Sequence, residues 1–416
     1  MKKLIAILAL AAVCVLGVPQ NKVISHAETT WVTESPKEET QGAYTYLTYP
    51  NADGQTCWLY EVKMDDSSSE TTLTIPETIG GLKVTRLGRE PEGDYFRNLF
   101  GECSEPYHGA DGANVYTKRI KEITLPDSIT TIETCCFSGF DNISAITLPP
   151  QVTKLGDSIF YGCNNLESVV LPEALEELTI WGFGVFERCD KLNKIEISEK
   201  NTKYTAQNGC IMSKDKKTLY FVYSDKKTFK IPSTVTKVER CAFYTSNVKK
   251  VYISANVKEL EAFALYSYQI KDITISKKNP YFKKDGQTIY RTSDKSLAVA
   301  IAPKGKTYTM SDKVKKLTYD VSLIGGGSRA NQHEGVSIEK VVLSKNLKYV
   351  EQNYLMGADG LDIVKFQTKV PPKFKDKRAC PIHVTVYVPK NSTKAYKKSF
   401  KKYKRWQYVK DNWSEY

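Results

Sequence analysis

Histidine is scarce in this chain, and the usual motifs of enzymes are missing as well. The sequence has four histidines in 416 residues. Three of them, His108, His333 and His383, lie far apart, without the helical spacing of a metallopeptidase. There is no G-x-S-x-G elbow, no phosphate-binding G-x-x-x-x-G-K loop, no calcium loop and no cysteine pair with zinc-finger spacing. We therefore expect no catalytic residue, no metal site, no cofactor and no enzyme activity.

Long apolar runs are also missing after the first residues of the chain. The sequence begins MKKLIAILALAAVCVLGV, with two lysines and an apolar run that is short for a membrane span. Small residues at Ser25 and Ala27 suit signal peptidase cleavage after Ala27. We therefore expect residues 1–27 to be a signal peptide. The mature chain is then secreted or extracellular at the cell surface, without a transmembrane segment and without nucleic acid as a partner.

Charge is distributed unevenly along the chain. The formal net charge is +13, but residues 28–190 hold 11 Lys and Arg against 27 Asp and Glu, whereas residues 191–416 hold 46 against 20. This asymmetry suggests an electrostatic partner for one or both halves. The alternative is that both halves are simply well solvated, which keeps an elongated protein soluble.

Nine cysteines remain after the expected cleavage, so at least one of them has no partner within the chain. Cys163 and Cys189 each follow a candidate core phenylalanine by three residues, and Cys135 and Cys241 each precede one by two. Such positions favour buried free thiols, because free cysteine is among the most buried residue types. A disulfide between Cys163 and Cys189 is the alternative, since the sequence does not fix the pairing.

The chain repeats itself with a period of 23 residues. From Ile120 it reads IKEITLPDSITTIETCCFSGFDN, and from Ile143 it reads ISAITLPPQVTKLGDSIFYGCNN. A degenerate first copy begins at Glu70, and looser copies begin at Leu166, Leu192, Lys226, Val248, Ile270, Gly305, Ile338 and Leu361. Such a period indicates stacked units that each bury an apolar face against their neighbours. It favours an extended recognition surface over a catalytic pocket.

Each copy contains a short strand and an apolar plug. The strand is indicated by apolar residues spaced by two, such as Ile123 and Leu125, and proline or serine then ends it. A second apolar pair follows, and then a bulky residue predicted to fill the interior of the coil. The predicted plugs are Phe137, Phe160, Phe186, Phe243 and Phe263.

This unit resembles the BspA-like leucine-rich repeat, whose pattern runs L-x-x-I-x-I-P-x-x-V-x-x-I-x-x-x-A-F-x-x-C. The resemblance covers about residues 58 to 410, including the usual first repeat near Leu73 and the usual last one from Val386 to Trp406. It implies a β-rich solenoid of about eleven coils, with minor helix. The expected layout is an N-terminal segment and cap over 28–69, the solenoid over 70–388 and a basic C-terminal cap over 389–416. It also implies a surface protein of the adhesin type.

Four segments interrupt the period. Those starting at Asn201 and Asn279 contain Asn208-Gly209 and Asp285-Gly286 between apolar stretches, which predicts β-hairpins. We interpret them as structural additions, although their loops could form a lip beside the sheet. Residues 90–116 and 325–337 are irregular. Each is either a binding insertion or a solvated loop, with the aromatic-rich 90–116 favoured as the functional one.

The outward residues of the strands are the candidate ligand-binding surface. Alternation along each strand places them in stripes on the sheet, and leucine-rich repeats generally bind through this face. The candidate ligand-binding residues are Glu196, Lys230, Lys250, Tyr252, Thr274, Lys340 and Lys365. The alternative is a solvent-facing sheet rich in threonine, a good strand former.

The C-terminal segment is the second candidate surface. Residues 390–410 hold nine Lys and Arg and no acid, interleaved with aromatic residues. Candidate contacts to an anionic partner are Lys397, Lys398, Lys401, Lys402, Lys404 and Arg405. The favoured interpretation is a capping helix with aromatic residues inward and lysines outward. As a function, the resemblance implies adhesion to an extracellular protein or glycan. The alternatives are binding of an anionic cell-wall polymer through the basic half, or a secreted hydrolase with an unrecognised site.

Overall fold

The computed structural model describes residues 35–89, 97–102, 115–178, 184–244, 246–267, 269–302, 306–318, 321–324, 338–351, 361–375, 384–401 and 413–415. Across these residues the chain is β-rich, with one helix, and forms a solenoid of about 12 turns. The predicted fold class is therefore confirmed. The predicted signal peptide, the irregular insertion over 325–337 and most of the one over 90–116 lie outside the described residues.

The first block of the solenoid extends to residue 197. Its strands are β1 (Lys37–Gln41), β2 (Tyr44–Pro50), β3 (Thr56–Met64), β4 (Thr72–Thr74), β5 (Thr78–Ile79), β6 (Leu82–Leu87), β7 (Glu122–Thr124), β8 (Thr131–Ile132), β9 (Ala145–Thr147), β10 (Lys154–Leu155), β11 (Ser168–Leu171), β12 (Glu177–Leu178) and β13 (Lys194–Ile197). Each turn supplies one strand to each of two parallel ladders. On the first ladder β4 pairs with β7, and β9 pairs with β11 and β11 with β13, while the second ladder holds β6, β8, β10 and β12.

The second block continues both ladders after an insertion. Its strands are β14 (Tyr204–Gln207), β15 (Cys210–Ser213), β16 (Thr218–Val222), β17 (Thr228–Lys230), β18 (Lys237–Val238), β19 (Lys250–Ile253), β20 (Glu259–Leu260) and β21 (Asp272–Ile275). Strands β17, β19 and β21 pair in the first ladder, and β16, β18 and β20 pair in the second.

The third block begins at the second predicted hairpin. Its elements are β22 (Phe282–Asp285), β23 (Thr288–Arg291), β24 (Leu297–Ile301), β25 (Thr307–Thr309), β26 (Lys316–Leu317), β27 (Ser322–Ile324), β28 (Lys340–Val342), β29 (Tyr349–Val350), β30 (Ile363–Lys365), β31 (Lys373–Phe374), β32 (Thr385–Val388), α1 (Thr393–Lys401) and β33 (Trp413–Glu415). The first ladder here is β25-β28-β30-β32-β33, and the second contains β26, β29 and β31.

Core phenylalanines stack from turn to turn in the first block. The ring centroids of Phe137 and Phe160 are 5.8 Å apart, and those of Phe160 and Phe186 are 5.6 Å apart. The plug predicted at Phe263 is wrong. Its backbone has a φ of 59° and its side chain is half-buried, while Leu265, two residues later, is fully buried in its place.

Three antiparallel meanders open the three blocks. The first meander is β1–β3, the second is β14–β16 and the third is β22–β24. The turns predicted at Asn208-Gly209 and Asp285-Gly286 are present, since Asn208, Gly209 and Gly286 all have positive φ. The repeat pattern did not reveal that the N-terminal segment is a meander of the same kind.

The meanders also separate the apolar interior into three clusters. The first cluster runs from Tyr44 to Tyr223, the second from Cys210 to Ile301 and the third from Leu297 to Phe400. Within the second meander, Phe221 belongs to the first cluster and its neighbour Val222 to the second. Strand alternation explains this, because successive side chains point to opposite faces.

Side chains of the meanders satisfy the open edges of the first ladder. At β4, the hydroxyls of Tyr44 and Tyr46 donate to the carbonyls of Thr72 (2.8 Å) and Thr74 (3.2 Å). At β13, the Tyr223 hydroxyl donates to the Ile195 carbonyl at 3.4 Å. At β21, the Lys284 ammonium donates to the Ile273 carbonyl at 2.8 Å. Strand edges that would otherwise present unpaired groups are thus covered from within the chain.

A buried asparagine attaches each inner meander to the preceding turn. The Asn279 amide nitrogen donates to the carbonyls of Ser254 and Val257, both at 2.9 Å. Its oxygen accepts the backbone N–H groups of Tyr281 (2.8 Å) and Phe282 (2.9 Å). Asn201 makes the same kind of contacts at the second meander. These asparagines fix where each meander starts.

We expect Asn279→Asp to destabilise the protein strongly. The substitution keeps the shape of the side chain but removes two donors and turns an oxygen towards two buried carbonyls. The expected loss is about 3 kcal/mol in the free energy of unfolding, measurable by denaturant titration. Asn256→Asp is the matched control, because Asn256 is exposed and donates once, to the Ser233 carbonyl. Equal effects of the two substitutions would contradict this role of Asn279.

The seven cysteines in the described residues are free thiols, and six of them are buried. The thiols of Cys163 and Cys189 donate to the carbonyls of Phe137 and Phe160, each at 3.1 Å. Burial raises the pKa of both thiols well above the usual range. They therefore pack as part of the core, in a setting that disfavours the reactive thiolate.

Helix α1 covers the last turns of the solenoid. Its side chains Tyr396 and Phe400 are fully buried, and the Phe400 ring lies 5.0 Å from that of Phe374. Lys398 and Lys401 point to solvent. Helix α1 thus covers this end of the third apolar cluster.

Candidate functional site

The first ladder presents a continuous pattern of outward side chains. In β7, buried Ile123 lies between exposed Glu122 and Thr124, and the same alternation recurs in β9 and β17. The parallel register aligns these residues from turn to turn, so that Thr147 lies opposite Val170 and Val170 opposite Glu196. The stripes inferred from the sequence are therefore present as rows on one face.

Four of the seven candidate binding residues come together on the second block. Lys230, Tyr252 and Thr274 form one row across β17, β19 and β21, and Lys250 lies in the row beside them. The Lys230 ammonium is 5.5 Å from the centre of the Tyr252 ring, close enough for a cation–π contact. Lys250 lies opposite Asp272, whose carboxylate is bound at 2.8 Å by Lys284 of the third meander.

The other three candidates lie on other blocks. Glu196 is on β13, where it pairs with Lys194 at 2.6 Å. Lys340 and Lys365 are on β28 and β30 of the third block, one row apart. The structure therefore defines a compact group on the second block rather than one site made of all seven residues.

A row of three lysines beside this group, here called the lysine margin, was not identified from the sequence. Lys227, Lys249 and Lys271 occupy consecutive turns at the entrance to the strands, because the Lys249 N–H bonds to the Lys227 carbonyl (2.9 Å) and the Lys271 N–H to the Lys249 carbonyl (2.8 Å). Burial and then the like charge of Lys271 lower the pKa of Lys249. The sequence signal for this margin is two lysine pairs. Lys226-Lys227 precedes β17, and Lys249-Lys250 stands at the start of β19.

Together these residues form a positive surface around one aromatic ring. Lys230 and Lys250 lie beside Tyr252 on the ladder, Lys227, Lys249 and Lys271 line the entrance to the strands, and the nearby acid Asp272 is already engaged by Lys284. Such a surface suits a ligand that presents acidic groups and an apolar face.

The residues predicted for an anionic contact are only partly described. Lys397 is half-buried on α1, whereas Lys398 and Lys401 are exposed on it. Lys402, Lys404 and Arg405 lie outside the described residues. In the part of the chain that the structure describes, no three His, Cys, Asp or Glu side chains group as a metal site would, and no helix is long and apolar enough to cross a bilayer.

The two-ladder solenoid is the architecture of a leucine-rich repeat protein. Residues 112–214 and 217–294 match the family model described as the BspA type leucine rich repeat region, in six copies. The chain therefore contains BspA-type leucine-rich repeats, as its sequence predicts. Proteins of this type are generally binding modules of bacterial cell surfaces. No curated protein matches the chain significantly.

Several solved structures are similar to the chain. The pneumococcal vaccine antigen PcpA is 16% identical with a TM-score of 0.42, over 92% of this chain and 98% of that one. A leucine-rich repeat protein of Eubacterium ventriosum is 18% identical with a TM-score of 0.39, over 75% and 86% of the two chains. A leucine rich cell surface protein of Faecalibacterium prausnitzii is 16% identical with a TM-score of 0.37, over 80% and 95%.

Proposed function

We propose that this protein is an exported adhesin-type protein that recognises a protein or glycan on host matrix or on another cell's surface. The proposed contact surface is the outward face of β17, β19 and β21. The observation that carries the proposal is the alignment of Lys230, Tyr252 and Thr274 in one row beside a lysine margin. A rigid parallel ladder holds these side chains in place before binding, which reduces the entropy lost on association.

We expect the double substitution Lys230→Ala with Tyr252→Ala to weaken ligand binding at least about tenfold, because central aromatic and cationic residues carry most of the energy of an interface. The measurement is binding of residues 28–416 to immobilised host matrix proteins and, in parallel, to purified Gram-positive cell wall, at two salt concentrations. Thr124→Ala with Thr147→Ala, on the first block, is the control. Saturable binding to a matrix protein that the control retains and the double variant loses would support the proposal, with partial weakening at high salt because the surface is cationic.

A second candidate function is attachment to an anionic wall polymer through the basic half. On the third block the acids Asp294, Asp312 and Glu351 each pair with a lysine. Other lysines of the third block, among them Lys295, Lys315, Lys340, Lys348 and Lys373, form no ion pair among the described residues. Binding to wall alone that disappears at high salt would favour this function, since screening weakens exposed ionic contacts. It would also contradict the adhesin proposal.

A further inference from the structure

A groove of about 610 Å³ lies at the corner of the second block, where the chain passes from the first ladder to the second. Its lining residues are Thr236, Ala255, Asn256, Lys258, Lys278, Pro280 and Tyr281. They follow β17, β19 and β21, so the groove is distinct from the outward face of those strands. The groove is open to solvent on its outer side, so it would hold a ligand against its lining residues rather than enclose it.

The Tyr281 side chain is held at this groove without being buried. It is 43% exposed, and it is the aromatic one among three exposed large hydrophobic side chains in the described residues. Its backbone is nonetheless fixed. The N–H donates to the Asn279 side-chain oxygen at 2.8 Å, and the carbonyl accepts the N–H of Thr292 at 2.9 Å. The ring is therefore accessible to a ligand, while its backbone is already held in place before binding.

Polar groups that can still form hydrogen bonds or ion pairs lie beside the Tyr281 ring. The Asn256 amide nitrogen donates to the Ser233 carbonyl at 2.7 Å, while its oxygen has no partner in the described chain. Lys258 is exposed and lies 3.7 Å from Glu259, a distance that gives a weak surface pair. Lys278 is exposed and has no acidic partner among the described residues. The groove therefore offers an apolar face, a hydrogen-bond acceptor and at least one uncompensated cation.

We propose that this groove binds a saccharide that carries a carboxylate. The C–H face of a sugar ring packs on Tyr281, a sugar hydroxyl donates to the Asn256 oxygen, and the carboxylate lies against the Lys278 ammonium. A peptide that binds by strand addition fits less well, because it needs an open strand edge. The backbone here is already paired between turns, as between the Lys258 N–H and the Thr236 carbonyl at 2.9 Å.

The test compares an acidic with a neutral oligosaccharide on the mature chain. The probes are hyaluronan hexasaccharide and chitohexaose, with affinity measured by ligand-observed NMR titration. We expect the acidic probe to bind more tightly than the neutral one. Tyr281→Ala should weaken its binding about tenfold, whereas Tyr281→Phe should keep it. Lys278→Gln should weaken binding severalfold, and Lys277→Gln, at a neighbouring exposed lysine outside the groove, should not.

Three results would overturn the proposal. They are equal affinity for the two probes, no effect of Tyr281→Ala, and no binding of the hexasaccharide at millimolar concentration. The groove is also separable from the outward face of β17, β19 and β21. The variant with Lys230→Ala and Tyr252→Ala should keep saccharide binding, so failure of either proposal leaves the other testable.

Discussion

Gly156→Ala is expected to destabilise the protein by about 3 kcal/mol or more, because the added methyl group has no space. A Cβ at this position would lie 2.4 Å from the backbone nitrogen of Thr134 and 2.7 Å from the carbonyl carbon of Glu133, in the preceding turn. Backbone atoms cannot move aside as a flexible side chain can. Moreover, the Gly156 N–H bonds to the Ile132 carbonyl at 3.2 Å and ties the two turns together.

The repeats themselves suggest the opposite result. Glu133, Glu239, Glu261 and Glu351 occupy the corresponding position in other turns, each donating its N–H to the second-ladder strand before it. A consensus of the repeats would therefore recommend glutamate at 156. The contact with Thr134 predicts that this substitution, like alanine, lowers stability.

Denaturant unfolding and hydrogen exchange will measure the effect of Gly156→Ala. Exchange should rise around residues 131–157 in particular, since each turn of a solenoid contacts mainly its neighbours. Gly162→Ala is the control. Gly162 has a φ of +75° and no atom within 4 Å of the added Cβ, so it should cost about 1–2 kcal/mol from backbone strain alone. A smaller loss at 156 than at 162 would refute the steric argument.

The second large effect concerns the buried carboxyl group of Glu187. Its side chain is 6% exposed, and one oxygen accepts the Tyr244 hydroxyl at 3.1 Å, while the other has no partner in the described chain. Burial raises the pKa of Glu187 from 4.5 to about 8, against the opposing effects of the Tyr244 hydrogen bond and the Arg188 charge. The folded protein therefore keeps this carboxyl group protonated near neutral pH.

The sign of the pH dependence follows from this shift. Between pH 4.5 and about 8 the unfolded chain has released the proton, whereas the folded protein still holds it. Glu187 thus contributes its full stabilisation below pH 4.5, and this contribution is lost as the pH rises through about 8. The total change is on the order of 4 kcal/mol. Alkaline conditions should destabilise the junction between the first and second blocks.

Glu187→Gln should remove this dependence, because the amide stays neutral and still accepts the Tyr244 hydroxyl. Free energies of unfolding measured at about pH 5 and about pH 8.5 should then differ much less than in the unsubstituted protein. Glu122→Gln, at an exposed residue of β7, is the control and should leave the dependence unchanged. If Glu187→Gln kept the full pH dependence, another group would have to be responsible.

Much of the fold was predictable because its signals are local. Apolar residues spaced by two and followed by proline or serine define the strands, and Asn208-Gly209 defines a turn by its backbone preferences alone. The first meander gave no such signal. Tyr44 and Tyr46 act by hydrogen bonds to β4, nearly thirty residues later, and a period of 23 residues does not report such contacts. At Phe263 the pattern was misleading, because Phe263 occupies the positive-φ position that Cys135 and Cys241 occupy two residues before the plug in other turns, and Leu265 therefore fills the core.

For the candidate site, the sequence predicted which residues share a row on the outward face. It did not predict which side chains contact each other. Alternation along the strands correctly placed Lys230, Tyr252 and Thr274 on the outward face. Alternation cannot show that Lys284 folds back from the third meander to bind Asp272, because that pair depends on how the meander sits against β21. It also gives no indication of the corner groove, which arises where three successive loops meet Tyr281.

The division of the interior into three apolar clusters has a mechanical consequence. A repeat protein that is held at one end and bound to a ligand through a more distant turn carries tension along the axis of the repeats between these two points. The second and third meanders interrupt the first ladder, so the hydrogen bonds that resist extension are not continuous from end to end. Under load such a molecule yields cluster by cluster, so that the loss of one cluster leaves the turns of the others folded.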